Sequence, residues 1–162
     1  MKKVVFVGQA MPRIKRDPHD WPSLNKWLFS IGLTEDQIKD NFFYTALVDY
    51  FPGSFKGSHL VPTKNQIEKE LQRLKNALLE FSPDIVVPIG RLSISYCLGK
   101  SVSVLESHVG CIYRMNPYSF FKSDLIVIPL PHPSGASTWK HQPKNKKLLF
   151  RALSILKKEI IK

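Results

Sequence analysis

The sequence predicts an α/β domain, a three-layer α/β/α sandwich with a central parallel four-stranded sheet. Two observations predict it. Four short, continuous apolar runs of the kind found in strands buried on both faces alternate with segments of helical periodicity. The connections between those runs carry helices, and right-handed crossovers then place helices on both faces of the sheet. No repeat, linker or low-complexity tract interrupts the pattern, so residues 1–162 read as a single domain.

The first strand is Lys3 to Val7, ended by Gly8. A loop rich in proline and charge, Pro12 to Pro22, leads to a helix from about Ser23 to Ile31 that Gly32 should stop. Thr34 with Gln37 makes a capping box for a short helix through about Lys39, and the second strand reads Phe42 to Val48. A proline and glycine loop crosses Pro52, Gly53 and Gly57 to Thr63, which forms a second capping box with Gln66. In the long helix that follows, Ile67, Leu71, Leu74 and Leu78 lay one stripe on the sheet, and Ser82-Pro83 ends it.

The third strand, Asp84 to Ile89, turns at Gly90 into a helix from Arg91 to Leu98 that closes at Gly99. Residues 102 to 124 suggest an irregular strand near Cys111 to Arg114 and a loop around Asn116-Pro117. The fourth strand is Leu125 to Pro129, and a basic helix runs from about Pro143 to Ile161. With four parallel strands, the segments Gly8-Gln9-Ala10, Thr45 to Tyr50, Gly90-Arg91 and Pro131 to Ser134 gather along one edge of the sheet. That edge is where α/β proteins keep their chemistry.

Composition narrows the function. With 43% hydrophobic and 23% charged residues, the chain reads as a soluble globular protein rather than a disordered or membrane one. No apolar run approaches the roughly 20 residues that span a bilayer. Met1-Lys2-Lys3 and Val4 to Val7 lack the length and cleavage site of a signal peptide, so a cytosolic location is expected. Cys97 and Cys111 are too few and too far apart for a zinc or cluster motif and read as reduced thiols.

The net charge of +11 points to a polyanionic partner, the alternative being solubility alone. Lys140, Lys144, Lys146, Lys147, Arg151, Lys157, Lys158 and Lys162 are opposed near the C-terminus only by Glu159. Arg13, Lys15 and Arg16 form a second cluster after the first strand. Two clusters flanking two candidate loops favour nucleic acid.

The most informative residue is His132. Pro131 and Pro133 each fix their own φ, lack a backbone donor and bias the residue before them away from helix, so the histidine is held stiffly where a buried strand ends. A plain alternative is that His132 only caps the turn.

Taken together, these loops resemble the uracil-DNA glycosylase superfamily over nearly the whole chain. Val7-Gly8-Gln9-Ala10-Met11-Pro12 is similar to its first motif, Phe43-Tyr44-Thr45-Ala46 to its second strand, and Ile85 to Gly90 to its third. His132-Pro133-Ser134 is similar to the last motif, which members follow with a loop that wedges into DNA. Each piece alone is unspecific; their order and spacing carry the resemblance. The departures are informative as well. Ala10 stands where the uracil-specific branch has a water-positioning aspartate. The iron-sulfur branch reads Gly-Glu-Ala-Pro-Gly there and uses four cluster cysteines that this chain lacks, so no cluster is expected. Ala46 replaces an asparagine that reads the uracil edge, a loss that resembles the broader type b branch, which also accepts deaminated purines.

The resemblance implies roles for individual residues. His132 would be a neutral donor to the uracil carbonyl oxygen beside the glycosidic bond, with Gly8, Gln9, Ala10, Trp21 and Ala46 holding the base. Trp21 would be the stacking platform, contributing about 1 to 3 kcal/mol, or else a ring packed under its loop. Phe42, Phe43 and Tyr44 read as strand core. Asp17, with Asp20 close behind, is the candidate to position water in place of Ala10; both also read as exposed loop acids. Arg13, Ser134, Gly135, Ser137 and Lys140 would meet DNA, and Trp139 is a candidate for the missing wedge.

The implied function is a monofunctional DNA glycosylase excising uracil, and in the type b pattern hypoxanthine or xanthine. It would act as a monomer on DNA containing a deaminated base, with no metal or organic cofactor. One rival is a catalytically inactive binding protein of the same fold, suggested by Ala10 and Ala46. Another is an enzyme acting on a free nucleotide or nucleoside, since doubly wound folds host many chemistries.

Overall fold

A computed structural model of the protein describes residues 1–14, 21–134 and 138–162. Strand alternation explains its layers. In β1 (Val4–Ala10), Val4 and Phe6 enter one core while Val5 and Val7 enter another. The first core takes Leu24 and Leu28 of α1 (Pro22–Ser30), Ile38 of α2 (Glu35–Asn41), and Phe42 and Tyr44 of β2 (Phe42–Val48). A two-stranded ribbon follows, β3 (Ser54–Phe55) and β4 (Ser58–His59), where the sequence reads only as loop. The second core is built on α3 (Lys64–Phe81), whose Ile67, Leu74 and Leu78 are buried and Leu71 half-buried.

β5 (Ile85–Pro88) leads into α4 (Arg91–Leu98), which buries Cys97 in the second core. Burial pushes that thiol up to about 12. β6 (Tyr113–Met115) and β7 (Leu125–Val127) complete the sheet, and α5 (Pro143–Ile161) returns to the first core through Ala152, Leu153, Leu156 and Ile160. Helices therefore cover both faces, as the sequence predicts.

The sheet has five strands rather than four, in the order β2-β1-β5-β7-β6. The four expected strands are parallel, with Val4 opposite both Phe42 and Ile85, and Ile85 opposite Ile126. The added strand, β6, is antiparallel, with Tyr113 opposite Val127. Residues 116–124 are too few for a crossover helix, so the chain can only reverse and pair at the edge. β6 overlaps the irregular strand expected near Cys111 to Arg114, but three residues show no periodicity that would assign it to the sheet.

Both capping boxes form. Thr34 accepts the Gln37 amide and Thr63 accepts the Gln66 amide, each at 3.2 Å. The chain leaves β1 for β2 on one side and returns past β1 to β5 on the other. That reversal opens a crevice outside the carboxyl ends of the strands.

Candidate functional site

The crevice is a cleft of about 480 Å³, within the usual range for a small-ligand site. The end of β1 supplies Gly8, Gln9 and Ala10, followed by Met11 and Pro12; the end of β2 supplies Tyr44, Thr45 and Ala46. Trp21 and Pro22 open α1 on one wall, joined by Ser23 and Lys26. Pro22 at the first helical position suits a residue whose amide would lack a helical partner anyway. Trp21 stands at the N-cap without a side-chain capping bond, and its indole packs toward the sheet instead. A Cβ on Gly8 would lie 3.3 Å from Trp21 Cη2, so the glycine makes room for the ring.

His132 meets Trp21 across this wall. Their ring centroids are 5.8 Å apart at 62°, and both line the cleft. Pro131 and Pro133 are buried on either side while the imidazole is exposed to the cleft. The Ser134 amide donates to His132 Nδ1 at 3.1 Å. A nitrogen that accepts carries no proton, so in the neutral ring Nε2 bears the hydrogen and is the donor. Desolvation by the cleft walls, and then the charge of Lys140, lower the histidine pKa below its ordinary 6.5. The imidazole is therefore held neutral near pH 7.

Lys140 has other partners than those expected of a phosphate contact. Its ammonium donates to the carbonyls of Pro133 at 2.9 Å and Ser134 at 2.8 Å, and lies 5.9 Å from the Trp27 ring centre. Its charge is spent on the histidine turn rather than turned to solvent. Trp139 is half-buried against the first core, with a buried indole N–H that has no partner among the described residues, so it is not presented as a wedge. Arg13 is exposed just beyond Pro12, and Ser134 is half-buried. Asp17, Asp20, Gly135 and Ser137 lie outside the described residues, as do Lys15 and Arg16.

The sequence assigns Tyr44 to the core alone. It is buried but also lines the cleft, edge-on to Trp21 at 6.1 Å, with its hydroxyl donating to Asn25 Oδ1 at 2.5 Å. Phe51, Pro52, His59 and Leu60 also line the cleft, where the sequence reads only a proline and glycine loop; they flank or belong to the ribbon that follows β2. Behind β2, Arg73 of α3 donates to Thr45 Oγ1 at 3.1 Å and to the carbonyls of Ala46 and Leu47 at 2.7 and 3.1 Å. Glu70 accepts the Asp49 amide at 2.8 Å and lies 3.6 Å from Arg73 Nε. A charged pair on one helix thus fixes the strand end that carries Ala46. Among the described residues, no group of three or more His, Cys, Asp or Glu side chains is placed to hold a metal.

A glycine-floored cleft at strand ends, walled by tryptophan and a proline-flanked neutral histidine, has the form of a base pocket. The sequence profile of the uracil DNA glycosylase superfamily matches residues 1–157. The chain belongs to that superfamily. Curated protein sequences gave no match. Membership supports a DNA glycosylase-like function, with DNA as the partner. Ala10 and Ala46 both line the cleft.

Proposed function

We propose that this protein is a monofunctional DNA glycosylase that removes uracil, and also hypoxanthine or xanthine, from DNA, leaving an abasic site. The observation that carries this reading is the His132 imidazole, held neutral with Nε2–H as its donor, 5.8 Å from Trp21 in one cleft. A base taken out of the stack would lie against the indole, at a cost in unstacking of about a few kcal/mol that stacking and backbone contacts offset. As the C1′–N bond breaks, its electron pair leaves with the base. A fixed N–H aimed at the base carbonyl stabilises that developing negative charge, which is the largest single source of catalysis in sites of this kind. Water then adds to C1′ and gives up a proton; Asp17, with Asp20 as the second candidate, is the proposed water-positioning group. The sequence marks out no lysine nucleophile for strand cleavage, so hydrolysis ends at the abasic sugar.

Ala46 supports the broader base range. A methyl group cannot select the edge of uracil as an amide would, and it leaves the cleft roomier for a purine. The same replacement, with Ala10, also favours the rival reading, a binding protein that keeps the pocket without turnover. Action as a monomer in the cytosol completes the proposal.

Single-turnover reactions with excess protein on duplexes carrying uracil, hypoxanthine or xanthine, followed by alkali, separate the readings. Wild-type protein should generate abasic sites, and His132→Ala should slow the reaction about 100- to 1,000-fold, equivalent to roughly 2.7 to 4 kcal/mol. Folded wild-type protein that binds these DNAs but cleaves none, on duplex or single strand, would leave only the binding-protein reading.

A further inference from the structure

The ribbon between β2 and α3 is built to project. Lys56 and Gly57 form its tip with φ of +48° and +78°, the pair of left-handed residues that a tight two-residue hairpin turn requires. The Leu60 amide closes its base on the Gly53 carbonyl at 2.9 Å. Its base belongs to the cleft: His59 and Leu60 line it, and His59 lies edge-on to Phe51 at 5.1 Å. Beyond the rim, Phe55 is 65% exposed, with the Lys56 ammonium 5.5 Å from its ring centre.

Folding does not explain Phe55. A strand pair of two residues each is marginal alone, and a phenylalanine left in water adds nothing to its stability. Duplex DNA supplies an explanation, because extruding a base leaves an unstacked gap, and proteins that distort duplexes insert apolar side chains such as phenylalanine between base steps. The rings that line the cleft are engaged with one another: Trp21 packs on Gly8 and His132, Tyr44 is buried, and Phe51 meets His59 edge-on. Phe55 is the more exposed of the rings near the ribbon, 65% against 41% for Tyr50, and Lys56 adds a cation where a phosphate would pass.

We infer that the ribbon is a DNA-inserting element, with Phe55 entering the duplex beside the extruded nucleotide and Lys56 meeting the adjoining phosphate. The inference rests on the DNA glycosylase reading for its partner, but binding tests it without turnover. Affinity for a duplex carrying a tetrahydrofuran abasic analogue is measured for wild type, Phe55→Ala and Phe55→Leu, together with single-turnover excision of uracil from duplex and from single strands. Phe55→Ala should weaken binding to the abasic duplex about tenfold or more and lower the duplex-to-single-strand ratio of excision rates by a similar factor, with Phe55→Leu between. Because the ring is exposed, the thermal midpoint should match wild type, which separates insertion from misfolding. Equal affinity for Phe55→Ala and wild type, or an equal loss of rate on duplex and single strands, would overturn the inference while leaving the glycosylase reading intact. Loss of binding in Phe55→Ala from a wild type that binds but never excises would support insertion and defeat the glycosylase reading.

Discussion

His132 owes its tautomer to one backbone amide and its neutrality to the cleft walls and one lysine. Lys140 therefore reads as a positioning residue: it ties the Pro133 and Ser134 carbonyls together and opposes protonation of the His132 ring. A protonated imidazole could not accept the Ser134 amide, so excision should be level above pH 6.5 and fall only in acid. Lys140→Met should raise the histidine pKa and move that acid limb to higher pH, with Lys140→Arg retaining the wild-type profile. A lysine that only touched phosphate would change the salt dependence and leave the pH profile in place. The same shift acts on stability. With the folded value below the unfolded 6.5, the unfolded chain takes up the proton first on acidification. Stability is then full above pH 6.5 and declines as the pH falls toward the folded value. At this scale the sequence was legible for His132, whose flanking prolines advertise a constrained turn, and not for Lys140, whose partners are chosen by how the turn folds back on the helix that follows.

At the scale of elements, caps separate helices that only hold the fold from the one that also serves the site. α2 and α3 begin with complete capping boxes, readable from Thr34 with Gln37 and Thr63 with Gln66. α1 begins with Trp21, a poor cap, because the position faces the cleft. Such local rule-breaking is expected where function claims a residue. Thr63→Ala should remove the acceptor for the Gln66 amide and cost about 1 kcal/mol. Calorimetry or circular dichroism should then show a thermal midpoint lower by roughly 2 to 4 °C. The β3–β4 ribbon was not legible, since its strands are too short for alternation to register. Its Lys56-Gly57 turn was the one available signal.

Across the whole molecule, the basic excess divides. α5 starts just after the histidine turn, and its last turn is joined to the start of β1 by the Lys2 amide on the Ile160 carbonyl at 3.1 Å. Its 19 residues therefore span about 28 Å, from the cleft end of the sheet to the opposite end. The lysines that read as one cluster in sequence are two groups in space. Glu159, buried at the far end beside Lys2 and Lys162, has its pKa lowered chiefly by Lys162 and neutralises part of the second group. Replacing Lys144 and Lys147 with glutamine should flatten the plot of log affinity against log salt by up to about 0.9 for each phosphate that is no longer neutralised. The same change at Lys157 and Lys158 should leave the slope as in wild type.

By itself the sequence determined the layer architecture, the four parallel strands, the major helices with their caps, and the proline-flanked histidine. Each of these is written in local chemistry: apolar runs, periodicity, hydroxyl and amide spacing, and the fixed φ of proline. Only the tertiary structure decided that Trp21 and His132 share a cleft, that Tyr44 and Arg73 shape it from within and behind, and that a ribbon ends in an exposed Phe55. It also decided that Lys140 belongs to the histidine turn. Those facts depend on packing between segments far apart in the chain or on where a short turn points, and neither leaves a periodic trace in the residues themselves.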